Sequence, residues 1–155
     1  MIISIASGKG GTGKTLVSTN LARTIGEKAQ ILDCDVEEPN SHLFLNPEIS
    51  NKEPVIAPVP EIDKDKCTYC RKCMDICRFG AIAVVAQTIV TFPELCHSCG
   101  GCTIICPEKA ITEKERILGV VESGQIKTAR INGTPASSKD KTIKFAHGLM
   151  DIGQV

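Results

Sequence analysis

Eight of the nine cysteines fall into two short runs of one spacing, and that spacing restricts the possible fold more than any other feature. Cys67, Cys70, Cys73 and Cys77 form the first run. Cys96, Cys99, Cys102 and Cys106 form the second, and each reads C-x2-C-x2-C-x3-C. A secreted disulfide framework fits poorly. The total is odd, the opening Met1–Ala6 lacks a basic leader region, and such closely spaced cysteines favour a shared metal over each other. Structural zinc usually takes two C-x2-C pairs well separated in sequence, whereas here four thiols crowd into eleven residues, twice. A cubane iron–sulfur cluster suits the spacing better, because one loop wraps three of its corners. The runs therefore predict two 4Fe–4S clusters held by these eight cysteines.

The runs are also an internal repeat. All four cysteines recur at an offset of 29 positions, Cys67 matching Cys96, and Ile76, Ala81 and Ile82 match Ile105, Ala110 and Ile111. The pattern resembles two-cluster bacterial ferredoxins over about 50 residues. That resemblance implies a compact pseudo-two-fold α+β module in which the fourth cysteine of each run ligates the other cluster. It also implies one-electron transfer at low potential, with the clusters supplying stability that a small core lacks. Pro107 follows the second run and Arg78 the first; Arg78 removes no ligand but places a charge near one cluster.

A second motif lies at the N-terminus. Gly8-Lys9-Gly10-Gly11-Thr12-Gly13-Lys14-Thr15 satisfies the phosphate-loop pattern G-x-x-x-x-G-K-[ST]. Ile2–Ala6 reads as a short buried strand before it. Lys14 to about Glu27 reads as a helix after it, with Val17, Leu21 and Ile25 on one face. In that setting the glycines turn backbone N–H groups toward phosphates at a helix N-terminus, Lys14 reaches the β/γ-phosphates and the Thr15 hydroxyl binds Mg²⁺. The plainer reading is a glycine-rich turn with solvated lysines. Gln30–Asp35 reads as a second strand ending in Asp33 and Asp35, where nucleotide, metal and water gather in such sheets; either aspartate could instead cap the next turn. Cys34 reads as a small packed thiol.

With Lys9 early in the loop, K-G-G-T-G-K-T resembles the deviant Walker A motif of the MinD/Mrp-type (SIMIBI) ATPases. That resemblance implies ATP as the nucleotide and Lys9 as a signature lysine reaching a partner's nucleotide across a homodimer. It implies Lys14 as the loop lysine, Thr15 as metal ligand, Asp33 as a carboxylate near Mg²⁺ and Asp35 as the residue orienting the attacking water. Read alone, Lys9 is equally a solvated loop lysine. The loop, then Leu32-Asp33-Cys34-Asp35-Val36-Glu37-Glu38-Pro39-Asn40, then the paired cysteine runs, together resemble MinD-superfamily P-loop ATPases carrying an inserted ferredoxin domain.

The expected fold is α/β: a partial P-loop parallel sheet with an inserted bacterial-type ferredoxin module. Residues 1–60 form the first part of the nucleotide-binding domain, 61–115 the ferredoxin-like domain, and 116–155 an incomplete return to the first. Pro54, Pro58 and Pro60 mark an extended lead-in to the module. Ile117–Val121, Gln125–Thr128 and Thr142–Ala146 read as strands, and Asn132-Gly133 and Ser137–Asp140 as turns. The switch and adenine-contacting segments of the related family find no match, so a C-terminally shortened form with doubtful hydrolysis is expected. His97 reads as a tuning neighbour of its cysteines, His42 and His147 as ordinary surface or packed histidines, and Glu37 and Glu38 as a solvated turn face.

Eighteen Lys plus Arg balance eighteen Asp plus Glu, which gives no support to a nucleic-acid footprint. No apolar run approaches a membrane span, and a cytoplasmic location is expected. The expected function is nucleotide-coupled electron transfer through the two clusters to a redox partner protein. The alternatives are an iron–sulfur cluster carrier or assembly factor, and a plain ferredoxin-type carrier with an inactive P-loop.

Overall fold

The computed structural model describes residues 1–9, 11–127 and 142–151, and these divide into two compact units. The first comprises Met1–Pro54 with Gly119–Asp151, the second Val55–Leu118. Gly10, Thr128 and the turns expected at Asn132-Gly133 and Ser137–Asp140 lie outside the described residues.

In the first unit, Gly13 takes a left-handed conformation (φ 88°) and opens helix α1, Lys14–Ile25. Gly26 (φ 71°) ends it, and Gly26–Lys28 tighten into a 3-10 turn, so the helix stops short of the expected Glu27. Strand β1, Gln30–Asp33, helix α2, Ser41–Leu45, and strand β2, Glu48–Ile62, follow. Strands β5, Ile111–Lys127, and β6, Thr142–Met150, complete a four-stranded mixed sheet in the order β1-β6-β5-β2. β1 and β6 run parallel, from Gln30 opposite Lys144 to Asp33 opposite His147, and β5 and β6 run antiparallel. Pro54, Pro58 and Pro60 lie in β2, an edge strand, where proline is tolerated.

Ile143 and Phe145, fully buried on β6, centre the core with Ala22, Ile31, Leu45 and Ile126. Three expectations fail here. The strand at Ile2–Ala6 does not form, and Ile2 and Ile3 are exposed. An apolar run becomes a buried strand only where a neighbour satisfies its backbone groups, and the sheet β1-β6-β5-β2 pairs no strand with this run. The face of α1 that turns inward carries Thr19 and Ala22, while Val17 and Ile25 are exposed. Small Ala22 allows close approach, and the Thr19 hydroxyl satisfies itself by donating to the Thr15 carbonyl at 2.7 Å. The strands expected at 117–121 and 125–128 join in β5, because Ser123 and Gly124 stay extended opposite Ala146 and Phe145. A Cβ at Gly124 would collide with the Glu48 carbonyl, so the crossing there requires glycine.

The second unit is a duplicate of itself. Helix α3, Lys72–Ile76, recurs as α4, Gly101–Ile105, at the 29-residue offset. Left-handed residues recur too: Tyr69 with Ser98, Arg71 with Gly100, and Gly80 with Lys109. Asp63 N–H donates to the Ala110 carbonyl and Phe92 N–H to the Ala81 carbonyl, both at 2.8 Å. These are one bond written twice, each reaching from one half into the other, which is what a pseudo-two-fold relation requires. Strands β3, Ile82–Val85, and β4, Thr88–Thr91, form a hairpin. Ile82, Val84, Ile89 and Ile111 pack against Cys73, with Cys67, Cys102 and Cys106 around them.

Candidate functional site

The loop from Gly8 to Thr15 ends in the N-terminus of α1, where no side chain caps the free N–H groups. Gly11 and Gly13 have φ of 75° and 88°, and a Cβ at either would meet nothing within 4 Å. Open space beside a left-handed, uncapped helix start suits an anion. The Lys9 carbonyl accepts from the Ser7 hydroxyl at 2.9 Å and from the Thr12 hydroxyl at 3.3 Å, which holds the loop's turn.

Lys14 Nζ lies 3.8 Å from Asp35 Oδ2, so two residues expected at the phosphates are brought together, both partly exposed. Asp33 behaves differently. Its Oδ2 accepts from Ser41 N–H at 3.0 Å and its Oδ1 from Asp35 N–H at 3.2 Å. Burial pushes this carboxyl up, but the bonds from Ser41 and Asp35 outweigh it, aided by His147, and hold it below the ordinary carboxylate range. Both oxygens thus fasten the loop between β1 and α2. Cys34, expected to be packed, is exposed just beyond the end of β1.

Within the second unit the eight run cysteines ring two cavities. Cys67, Cys70, Cys73 and Cys106 line one; Cys77, Cys96, Cys99 and Cys102 line the other. The last cysteine of each run lies with the first three of the opposite run. Among the described residues no three His, Cys, Asp or Glu side chains are arranged to hold a single metal ion; each set of four thiols surrounds a space instead. Backbone N–H groups reach the sulfurs: Ala81 to Cys77 Sγ and Ala110 to Cys106 Sγ, both at 3.3 Å, and Ser98 to Cys96 Sγ at 3.4 Å. Burial pushes the Cys73 and Cys102 thiols up, which disfavours a bare thiolate at either position. Four sulfurs with N–H donors around a shared space fit a polynuclear iron–sulfur group.

Two arrangements escaped the sequence. His97 stacks on Phe79 (ring centroids 3.8 Å apart, 22° between planes) beside the second cavity. His147 is buried on β6 and its Nε2 lies 3.1 Å from Glu122 Oε2, while Glu122 Oε1 meets Lys52 Nζ at 2.5 Å. Lys52 first, and His147 with it, hold the Glu122 carboxyl below its usual range. The alternation of buried Ile143, Phe145 and His147 along β6 was the available signal for the second.

Residues 3–150 match the model of the CobQ/CobB/MinD/ParA nucleotide binding domain. The chain is 35% identical over 130 residues to the protein MJ0579 of Methanocaldococcus jannaschii, an alignment covering 78% of this chain and 44% of that one. It is 41% identical over 69 residues to the iron–sulfur cluster carrier protein of the same organism, covering 41% and 23%. It is 28% identical over 107 residues to that organism's ferredoxin MJ0251, covering 61% and 73%. The chain spans less than half the length of the first two. No helix among the described residues is long and apolar enough to cross a membrane. With the family model matching nearly end to end, the chain belongs to the CobQ/CobB/MinD/ParA nucleotide-binding domain family.

Proposed function

We propose that this chain binds ATP with Mg²⁺ at Gly8–Thr15 and two 4Fe–4S clusters at its eight run cysteines, and that nucleotide binding or hydrolysis is coupled to electron transfer through those clusters. The observation that carries the reading is the exchange of Cys77 and Cys106 between two rings of four thiols, on a chain whose family binds nucleotides. Cys67, Cys70, Cys73 and Cys106 hold one cluster, and Cys96, Cys99, Cys102 and Cys77 the other. When bound, the clusters supply one-electron chemistry; the chain supplies the thiolates, N–H donors and charges that set their potentials.

In this reading Lys14 binds the β/γ-phosphates, Thr15 contributes a hydroxyl to Mg²⁺ and Asp35 orients water. Asp33 supports that site from behind through the β1–α2 loop. Lys9 acts from a second copy of the chain across the nucleotide, and a redox protein exchanges electrons with the clusters. Similarity to the cluster carrier favours one second reading, in which the clusters are cargo.

Anaerobic analysis tests the first claim: about eight iron and eight sulfide per chain are expected, and zinc without sulfide overturns it. Stopped-flow reoxidation of the reduced clusters with and without Mg–ATP tests the coupling. A nucleotide-dependent rate that Lys14→Ala abolishes is expected, and identical rates overturn the coupling. Transfer of the iron to an apo-acceptor protein, faster than loss to a chelator, would replace electron transfer by the carrier reading.

A further inference from the structure

The 29-residue repeat lets each half serve as the other's control, and the two halves differ in where they place charge. Of the three left-handed pairs, two set a cation against glycine. Arg71 (φ 66°) stands opposite Gly100 (φ 69°), and Lys109 (φ 48°) opposite Gly80 (φ 66°). Glycine takes this conformation freely, whereas Arg and Lys take it with strain. The strain is not scattered. Arg71 lines the cavity of Cys67, Cys70, Cys73 and Cys106, and Lys109 follows Cys106, donating its N–H to the Cys106 carbonyl at 3.2 Å. Gly100 lines the other cavity, and Gly80 follows Cys77, which belongs there. Arg71 therefore lines the first cavity and Lys109 lies three residues beyond a cysteine of it, whereas glycine holds both equivalent positions on the second side.

The remaining charges preserve the imbalance. Lys72 and Glu108 also line the first cavity, while Glu113 is the charged residue lining the second. Arg78, next to Cys77, offsets Glu113, much as Lys109 adds to the first side. The first cavity thus lies in the more positive surroundings by about two unit charges. Adding an electron to a cluster adds negative charge, which nearby cations stabilise and carboxylates oppose.

We propose that Arg71 and Lys109 make the cluster held by Cys67, Cys70, Cys73 and Cys106 the higher-potential member of the pair. This rests on the proposed binding of two clusters. A cluster held by Cys77, Cys96, Cys99 and Cys102 would then pass an electron received from a low-potential donor protein to one held beside Arg71. One is oxidised as the other is reduced, with no bond made or broken. Arg71 and Lys109 are positioning residues: they bias where the electron rests without ligating iron.

The test is a dithionite titration of the cluster-loaded chain, followed by electron paramagnetic resonance. Two separated one-electron steps are expected. Arg71→Gly and Lys109→Gly install the residue of the equivalent position and relieve strain, so folding is retained. Each should cut the reduced-to-oxidised ratio of the first-reduced cluster roughly tenfold at fixed potential, as one partly screened charge does across several ångströms. The other step should move little. Arg71→Lys keeps the charge and should keep the wild-type titration. Cys70→Ser, which perturbs the cluster of the first cavity, should alter the signal of the higher-potential step. A single unresolved step, glycine variants that leave the separation unchanged, or a Cys70→Ser effect on the lower-potential step would each overturn the assignment. Absence of iron and sulfide would overturn the underlying reading instead.

Discussion

The cysteine unit and the phosphate-loop unit organise themselves by different means. In Val55–Leu118, geometry follows spacing: α3 and α4, three pairs of left-handed residues and the two reciprocal 2.8 Å bonds all repeat at the cysteine offset. In the other unit, geometry follows packing between distant segments. Its core joins Ala22 and Ile31 to Ile126, Ile143 and Phe145, about 100 residues further along, and no local pattern specifies that meeting. The lesson is one of range. Ligands separated by two or three residues constrain one another directly, whereas an apolar face is only an offer that some other segment must accept.

The largest expected effect breaks the repeat itself. Cys77→Ser and Cys106→Ser remove the exchanged ligands, and each should lower iron and sulfide by roughly half, or about four of each per chain. Cys77→Ser should disturb the cluster of Cys96, Cys99 and Cys102, and Cys106→Ser that of Cys67, Cys70 and Cys73. Paired variants resolve this by spectroscopy. If Cys77→Ser combined with Cys70→Ser loses no more than Cys70→Ser alone, both residues serve one cluster and the exchange is wrong.

The next effect separates the units. Phe145 is 2% exposed at the centre of the first core, and Phe145→Ala should destabilise that unit by about 3–5 kcal/mol. Chemical denaturation read by nucleotide binding should register the loss. The visible absorbance of the clusters, read in the same samples, should change less. Equal shifts in both signals would mean that the two units unfold as one and that the contrast drawn between them is not energetic.

What was legible in the sequence divides along the same line. The cysteine grouping, the repeat, the helix opening at Lys14 and the strand opening at Gln30 could be read because each depends on neighbours within a few residues. Ile2–Ala6 misled because apolarity indicates burial without naming a partner strand. Val17, Leu21 and Ile25 misled because helical periodicity identifies a face but not whether that face is the one packed. Thr19 and Ala22, less apolar, turn inward through a self-satisfied hydroxyl and a small side chain. The strands expected at 117–121 and 125–128 are one because Gly124 permits a close crossing at the Glu48 carbonyl, a partner distant in the chain. Arg71 and Lys109 were invisible as a pair, since neither belongs to the motif; only left-handed φ values at equivalent positions single them out.

A smaller effect concerns the anion site. Lys14→Ala removes a charge-assisted contact to phosphate, worth on the order of 2–3 kcal/mol. Calorimetry with Mg–ATP should show affinity falling roughly 100-fold, while cluster content is unchanged. Asp35→Asn frees Lys14 from its 3.8 Å carboxylate neighbour and should leave triphosphate affinity equal or slightly higher. A loss as large as that of Lys14→Ala would show that Asp35 contacts the metal or nucleotide directly.

The smallest effect tests whether Asp33 belongs to the metal or to the loop. Its carboxyl is held below the ordinary range in the folded chain, burial notwithstanding, by bonds from Ser41 and Asp35. A depressed folded pKa means that its contribution is present above the unfolded carboxylate value, near 4, and is lost as pH falls through the folded value. Acid should therefore loosen the segment from Asp35 to Ser41. Asp33→Asn keeps an acceptor for one N–H but not both, and should cost about 1 kcal/mol near neutrality. The cost should shrink as pH falls, because the native carboxyl is losing its advantage too. Amide exchange at Ser41 and Asp35 reads this locally, away from the acid-labile clusters. With Asp33 as loop fastener, Asp33→Asn speeds exchange at both amides and weakens Mg–ATP binding only severalfold. Unchanged exchange together with a loss of Mg²⁺ dependence would place the carboxylate on the metal, and the 3.0 Å bond from Ser41 would then be a resting contact given up on binding.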